Sequence, residues 1–258
     1  MRHTAAVDRY TAADRMAEQY SDSARLRIRQ ETHRRYGSNP NTFVEWLVGL
    51  LELRPGMSIA DVGCGHGLFH PMLRSRGATV VGLDRSMGMA REAAAGSMAV
   101  VADAQALPLS DHGFDRVMCN HVLYHVPDQG LAMRELRRVA RSGGRVVIAT
   151  NGSQTNERMY EVARLAARDI GRNDSFSREN PFRLEDVDRV REVFPAAHVE
   201  VFRNEFVFPE PEPALRYWRS MRDDAELEAA MRNRIEAIIQ VEGEFRVPLV
   251  SGCFVADV

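Results

Sequence analysis

The sequence predicts an α/β fold, a doubly wound parallel sheet with helical additions over one edge, and three observations carry that reading. Short apolar runs near residues 57–62, 79–83, 98–102, 115–120 and 145–150 alternate with helix-patterned segments near 66–76, 86–95 and 128–141. Alternation at that interval lays helices over both faces of a parallel sheet. The earliest run, Ile59-Ala60-Asp61-Val62, breaks into alternate glycines, Gly63-Cys64-Gly65-His66-Gly67, and then a helix-compatible segment. Glycines there let backbone and ligand approach where a Cβ would collide, although a lone glycine-rich turn is equally compatible with a structural bend. Finally, Asp61, Asp84, Asp103 and Asn120 fall at or near strand ends. In such sheets ligands lie beyond the carboxyl ends of the strands.

Composition bounds the rest. A chain of 258 residues with 45% hydrophobic content is long enough for one large domain. A net charge of −2 gives no global field to attract nucleic acid or an anionic membrane. The basic residues are all arginine, which rules out a lysine Schiff base. The amino terminus lacks the apolar core of a signal peptide, and uncharged stretches such as 93–102 are too short to span a bilayer. A cytoplasmic protein is expected. Cys64, Cys119 and Cys253 are widely spaced among apolar residues and predict buried thiols rather than a disulfide framework or a zinc site.

Taken in order, Ala12–Tyr20 and Ala24–Tyr36 place apolar groups at helical intervals among charges and predict cap helices. After the breaker Ser38-Asn39-Pro40-Asn41, an amphipathic helix carries Phe43, Trp46, Leu47, Leu50 and Leu51, with Trp46 in the core, and closes at Arg54-Pro55-Gly56. The strands and helices of the first paragraph follow. Residues 153–180 and 209–247, helical and charged, interrupt the sheet and read as lids that, with 1–37, bring Tyr20, Tyr36, Tyr160, Phe176 and Trp218 to an acceptor pocket, around a helix at Leu184–Phe194 and a strand at His198–Phe208. Gly252–Val258 reads as the last strand.

The carboxylates define a ligand class. Asp61 stands two residues before the first glycine, where a dinucleotide site keeps an apolar residue, and suits a ligand bearing ammonium and sulfonium charges. Asp84 is placed to accept from two ribose hydroxyls, and Asp103 from an adenine amino group. Asp-Val-Gly-Cys-Gly-His-Gly, Gly-Leu-Asp-Arg-Ser, Asp-Ala-Gln-Ala-Leu-Pro, Phe-Asp-Arg-Val with Leu-Tyr-His-Val-Pro-Asp, and Gly-Gly-Arg-Val-Val-Ile occur in that order. Over residues 57–152 this resembles the class I S-adenosylmethionine-dependent methyltransferases, nearest the small-molecule branch that includes ubiquinone and menaquinone biosynthesis enzymes.

The resemblance implies a Rossmann-like, mostly parallel seven-stranded sheet with an antiparallel last strand, S-adenosylmethionine as cofactor and S-adenosylhomocysteine as product. It implies cofactor contacts from Asp61, Gly63, Cys64, Gly65, Asp84, Arg85, Ser86, Met89, Asp103, Ala104, Asn120 and His121, with Met89 and Arg85 near the adenine and Leu107 on its other face. Tyr20 and Arg29, with His33 and Tyr36, resemble cap positions directed at the methionine end or the acceptor. One domain, 1–258, is expected, with cap helices at 1–37, a cofactor core at 41–152 and the two lids.

A methyl on sulfonium is already activated, so a base is needed only if the nucleophile arrives protonated. His121 and His125 are the candidates, four apart and on one face if that segment makes a helical turn; the plainer reading has His121 shaping the pocket and His125 its wall. His66 and His70 share the spacing but lack an acidic ligand in the H-E-x-x-H position, so no metal is expected. Cys-Asn-His-Val in place of Asn-Pro-Pro-Tyr, without a basic arm, disfavours DNA-amino methylation. The expected acceptor is a small organic molecule of the kind met in secondary metabolism, with no DNA or membrane partner. tRNA or peptide methylation, a non-catalytic binding module and, more distantly, an NAD-dependent oxidoreductase are the rivals.

Overall fold

The computed structural model describes residues 24–173 and 180–258. The expected helix over 12–20, and the side chains of Tyr20 and Phe176, lie outside the described residues. Strands β1 (Ser58–Val62), β2 (Thr79–Asp84), β3 (Met98–Val101), β4 (Phe114–Asn120), β5 (Ala140–Asn151), β6 (His198–Phe208) and β7 (Phe245–Asp257) form one seven-stranded sheet in the order β3-β2-β1-β4-β5-β7-β6. The first five are parallel, and β7 runs antiparallel to both β5 and β6. Strand order reverses between β1 and β4, the switch point at which such sheets bind ligands.

Helices α1 (Ala24–Tyr36), α2 (Phe43–Leu50), α3 (His70–Ser75), α4 (Met87–Ala94), α5 (Gln129–Val139), α6 (Glu157–Asp169), α7 (Val187–Arg191), α8 (Pro211–Arg219) and α9 (Ala225–Glu242) complete the described chain. Their starts follow side-chain chemistry. Thr42 and Glu45 form a capping box on α2, and Ser86, Asp128 and Asp224 accept from the first turns of α4, α5 and α9, each such cap contributing about 1 kcal/mol.

Both sheet faces are covered. Ala60, Val62, Val117, Cys119, Val146 and Ile148 pack with Met133 and Leu136 of α5, while Ile59, Val80, Met118 and Val147 pack with Leu47 of α2 and Leu73 of α3. Successive residues of β1 and β4 enter opposite layers, which is why these strands read as continuous apolar runs. A separate core joins α6, α8 and α9 to Phe206, Phe208, Phe245 and Val247 of the β6–β7 hairpin. Trp218 lies fully buried at its centre.

Three boundaries differ from expectation. β7 begins at Phe245 rather than Gly252, so residues 245–247 of the expected lid belong to the sheet. Pro248 is tolerated in this strand because β6 pairs it on one side only: the β5 pairing ends at Ser251. β5 begins at Ala140, ahead of a register shift opposite Phe114 and Arg116. The helix expected at 184–194 is a 3-10 turn, Leu184–Asp186, followed by α7.

Candidate functional site

The glycine turn after β1 has backbone angles that side chains rarely adopt, with φ of 74° at Gly63, 56° at Gly65 and 82° at Gly67. Gly63 and Gly65 are glycine for different reasons. A Cβ on Gly63 would stand 2.1 Å from a Val122 methyl, so the turn packs directly against the segment after β4, whereas a Cβ on Gly65 would meet only Leu26, at 3.7 Å. The Gly63 and Cys64 amides donate to the Leu83 carbonyl at 2.6 and 3.0 Å. Asp84 ties the turn to the end of β2, accepting from the Gly65 amide on Oδ2 and the Ser86 amide on Oδ1, both at 2.8 Å. Burial pushes its carboxyl up, and those two bonds oppose the shift.

Asp61 is 1% exposed, and its Oδ2 faces Nε2 of the equally buried His70 at 3.2 Å. Asp61 thus has one oxygen facing a partner inside the protein while it lines the cavity at the carboxyl end of β1, and burial pushes the carboxyl up. Cys64 lines the cavity with its thiol pushed up by burial, and Cys119 and Cys253 are buried. Asp103 accepts on Oδ1 from the backbone and side-chain nitrogens of Gln105, at 2.8 and 3.1 Å. Ala104 and Met89 line the cavity, Arg85 is exposed at its rim, and Ser86 caps α4. Leu107, expected against an adenine, is instead part of the core below.

Asn120 ends β4 with both amide atoms buried and without a hydrogen-bond partner among the described residues. His121 follows in a left-handed conformation, φ 58°, and Leu123–His125 forms a 3-10 turn. His121 and His125 thus do not share a helical face; the His121 ring lies 5.5 Å from Phe43, and the His125 ring 4.4 Å from Tyr124. Burial pulls the His121 imidazole down to about 4. His33 is pulled down to about 4 as well, by enclosure, then by His121 and Arg29, although one side of its ring opens to the cavity. No group of His, Cys, Asp and Glu among the described residues could hold a metal ion.

These residues line one cavity of about 2140 Å³, which runs from the glycine turn along the carboxyl ends of the strands and under α1. Leu26 and Gln30 of α1 reach the turn, Gln30 Oε1 lying 3.0 Å from His66 Nε2. Tyr160 lines the cavity as expected, whereas Tyr36 and Trp218, expected to face it, pack in the core of the helical additions. Asn156, Tyr217, Phe202 and Asn204 also line it and carry no signal in the sequence. Their placement depends on how the β6–β7 hairpin and α8 fold back on the sheet. Trp46 packs on Phe43 and Phe202 beside the core, as expected.

Strand order and glycine turn together define a Rossmann-like α/β fold with a ligand cavity at its switch point, the place where the resemblance drawn from the sequence implies S-adenosylmethionine as cofactor. Residues 60–148 match the family described as "Methyltransferase domain". Over 119 residues the chain is 38% identical to a malonyl-[acyl-carrier protein] O-methyltransferase of Pseudescherichia vulneris, covering 45% of this chain and 47% of that protein. Over 107 residues it is 36% identical to a demethylmenaquinone methyltransferase of Mycobacterium bovis, covering 41% and 46%. The matched stretch spans about half the length of these curated relatives. A methyltransferase from an antibiotic biosynthesis pathway of Anabaena variabilis, so described only provisionally, shares the fold at TM-score 0.60 and 19% identity, covering 83% of this chain and 96% of that one. Another from Bacillus halodurans gives 0.59 and 18%, covering 83% and 97%.

The cofactor fits the residues present. Open space beside Gly65 admits a ligand, and the orphaned Asn120 amide, buried in the cavity wall, calls for a polar partner.

Proposed function

We propose that the protein transfers the methyl group of S-adenosylmethionine to an N, O or C atom of a small organic acceptor. The observation that carries this is the continuity of the cavity, which runs from the Gly65–Asp84–Asp103 rim past Asn151, Phe202 and Leu249 of β5–β7, leaving room beyond the cofactor end. A module that only bound cofactor would not need that second space. The named relatives, acting on malonyl-[acyl-carrier protein] and demethylmenaquinone, support an organic acceptor. No helix among the described residues is long and apolar enough to cross a membrane. A cytoplasmic enzyme working as one domain, with α1 and the additions after β5 and β6 as its cap, is part of this reading.

When bound, S-adenosylmethionine supplies a methyl group already activated on sulfonium. Asp84 would hold the ribose with lone pairs left over from Gly65 and Ser86, Asp103 the adenine amine through Oδ2, and Asn120 the methionine end. Met89 and Ala104 would flank the base. His121, kept neutral, would border the methyl without repelling the sulfonium charge; as a general base it would be weak, because its pKa lies well below neutrality. The cap would then exclude water and align the acceptor for in-line displacement.

Calorimetric titration with S-adenosylhomocysteine and with NAD tests the reading. Binding of the first and not the second is expected; the reverse would make the chain a dinucleotide protein.

A further inference from the structure

The charged side chains lining the acceptor end of the cavity, among the described residues, are Arg29, Arg34, Arg183, Arg222 and one carboxylate, Glu31. Glu31 is already engaged, 3.0 Å from Arg216 and 3.2 Å from Arg35. The cavity's other acids, Asp61, Asp84 and Asp103, all stand at or just past the ends of β1–β3. The acceptor chamber is therefore biased to positive charge, on a chain whose net charge is −2.

Arg29 is coupled to the groups at the reacting end. Its charge bears on His33 and Tyr217, and His33 in turn is close enough to His121, the residue after β4, for the two to influence each other. Nη1 of Arg29 donates to the Ser220 carbonyl at 2.9 Å, which leaves further N–H groups of the planar guanidinium for a ligand. Beside it, Asn156, 7% exposed, donates Nδ2 to the Tyr217 hydroxyl at 3.0 Å. Tyr217 keeps its own proton to donate, and Asn156 Oδ1 is buried without a hydrogen-bond partner among the described residues. A site built in this way offers a fork of donors for an anion and one acceptor for an N–H or O–H next to it.

Proton accounting narrows the anion. A phenol or a protonated amine must lose a proton before it can attack; of the three imidazoles lining the cavity, His33 and His121 are held down to about 4, and His125 packs its ring on Tyr124. An acceptor that arrives ionised needs no base. Resting on the methyltransferase reading above, we propose that the acceptor is an organic carboxylate bearing a nearby amide or hydroxyl, recognised by Arg29, Tyr217 and Asn156 and methylated on oxygen to a methyl ester. A carboxylate lone pair forms the O–CH3 bond as the methyl–sulfur bond breaks. The electron pair of that bond goes to sulfur, which becomes a neutral thioether, and no proton changes hands.

The test uses the protein saturated with S-adenosylhomocysteine and titrated with hippurate, benzoate and their neutral primary amides. Each carboxylate is expected to bind at least tenfold tighter than its amide. Arg29→Gln should bring that ratio close to one, Arg29→Lys should keep part of it, and Tyr217→Phe, which retains the ring packing on Phe206, should reduce it severalfold. The ratio is the readout, so any effect of Arg29 on the cofactor cancels. Equal affinity for acid and amide, no carboxylate binding at millimolar concentration, or a ratio unchanged in Arg29→Gln overturns the proposal. With methyl-labelled cofactor, the label carried by the acceptor should be released as volatile methanol by mild alkali; an alkali-stable product also overturns it. A wild-type protein that fails to bind S-adenosylhomocysteine would sink the methyltransferase reading itself.

Discussion

Beyond β1–β3 the cavity wall is made of backbone and short acidic side chains, whereas beyond β5–β7 it is made of arginines, amides and aromatic rings carried on helices. The first wall is held by bonds 2 and 19 residues apart in sequence, from Ser86 and Gly65 to Asp84. The second is held by contacts between distant segments: Arg29 to Ser220, Asn156 to Tyr217, and Arg172 to Asp224 at 3.1 and 2.7 Å. A rigid ligand common to a whole class is met by geometry that local sequence can encode. An acceptor peculiar to one protein is met by tertiary packing, which can be exchanged without disturbing the sheet.

The contrast can be broken most sharply at the glycines. Gly65→Val should stay folded at a cost of about 1–3 kcal/mol for a side chain at positive φ, and should show no measurable S-adenosylhomocysteine binding in calorimetry, because its side chain would enter open space meant for the ligand. Gly63→Val should instead lower stability by about 3 kcal/mol or more in denaturant unfolding, since it combines a clash with Val122 and a left-handed backbone. If both mutants lost only binding, the turn would not be the joint between sheet and β4 that it is taken for.

Asp84→Ala comes next. Losing hydrogen bonds to a charged acceptor should weaken S-adenosylhomocysteine by at least about tenfold, with a smaller loss of stability from the freed Gly65 and Ser86 amides. Unchanged affinity would remove Asp84 from the cofactor wall.

A third test is pH. The folded His121 pKa lies near 4, below the 6.5 of an exposed imidazole. Between those values the unfolded chain takes up the proton and the folded one does not, so stability is full above about 6.5, falls as the pH drops towards 4, and is level below. Between pH 7 and 5 this contributes a loss of about 1–2 kcal/mol. His121→Gln should therefore make the accompanying fall in melting temperature about 2–4 °C smaller. A fall of the same size in the mutant would mean that His121 titrates normally.

The smallest effect expected is at Asp224, which caps α9 and pairs with Arg172. Asp224→Ala should cost about 1 kcal/mol in unfolding and leave cofactor affinity intact. A loss of cofactor binding here would show the two walls to be coupled.

Much of the first wall was legible in the sequence. Glycines that need positive φ and carboxylates that follow apolar runs leave a mark within a few residues, and so do helices with polar caps: α1 begins and ends where periodicity put it, at Ala24 and Tyr36, as does β6 at His198 and Phe208. What the pattern could not show is direction. Asp61 and Leu107 lie where sequence placed them along the chain, but Asp61 turns one oxygen to His70 and Leu107 packs in the core, because a side chain at a strand end or in the loop after it chooses its neighbour in three dimensions. For the second wall the sequence offered aromatic residues without saying which face inward. Tyr217 and Trp218 are adjacent, yet the first borders the cavity and the second is sealed in the core.

The segment after α1 has a consequence of its own. Gly37 bridges Phe206 in antiparallel fashion, the Ser38 amide donates to the Glu205 carbonyl, and the Asn39 amide and side chain bond Asn204 and Arg203. β6 is one of the two edge strands of the sheet, with a row of peptide groups that would otherwise invite pairing with another molecule. The cap's connection to the core therefore serves as a selvedge, closing the fabric of the sheet over 203–206. A chain cut back to residue 43 would lose more than its roof: it should self-associate through the bared strand, with light scattering rising as protein concentration is raised, while the intact chain stays dispersed.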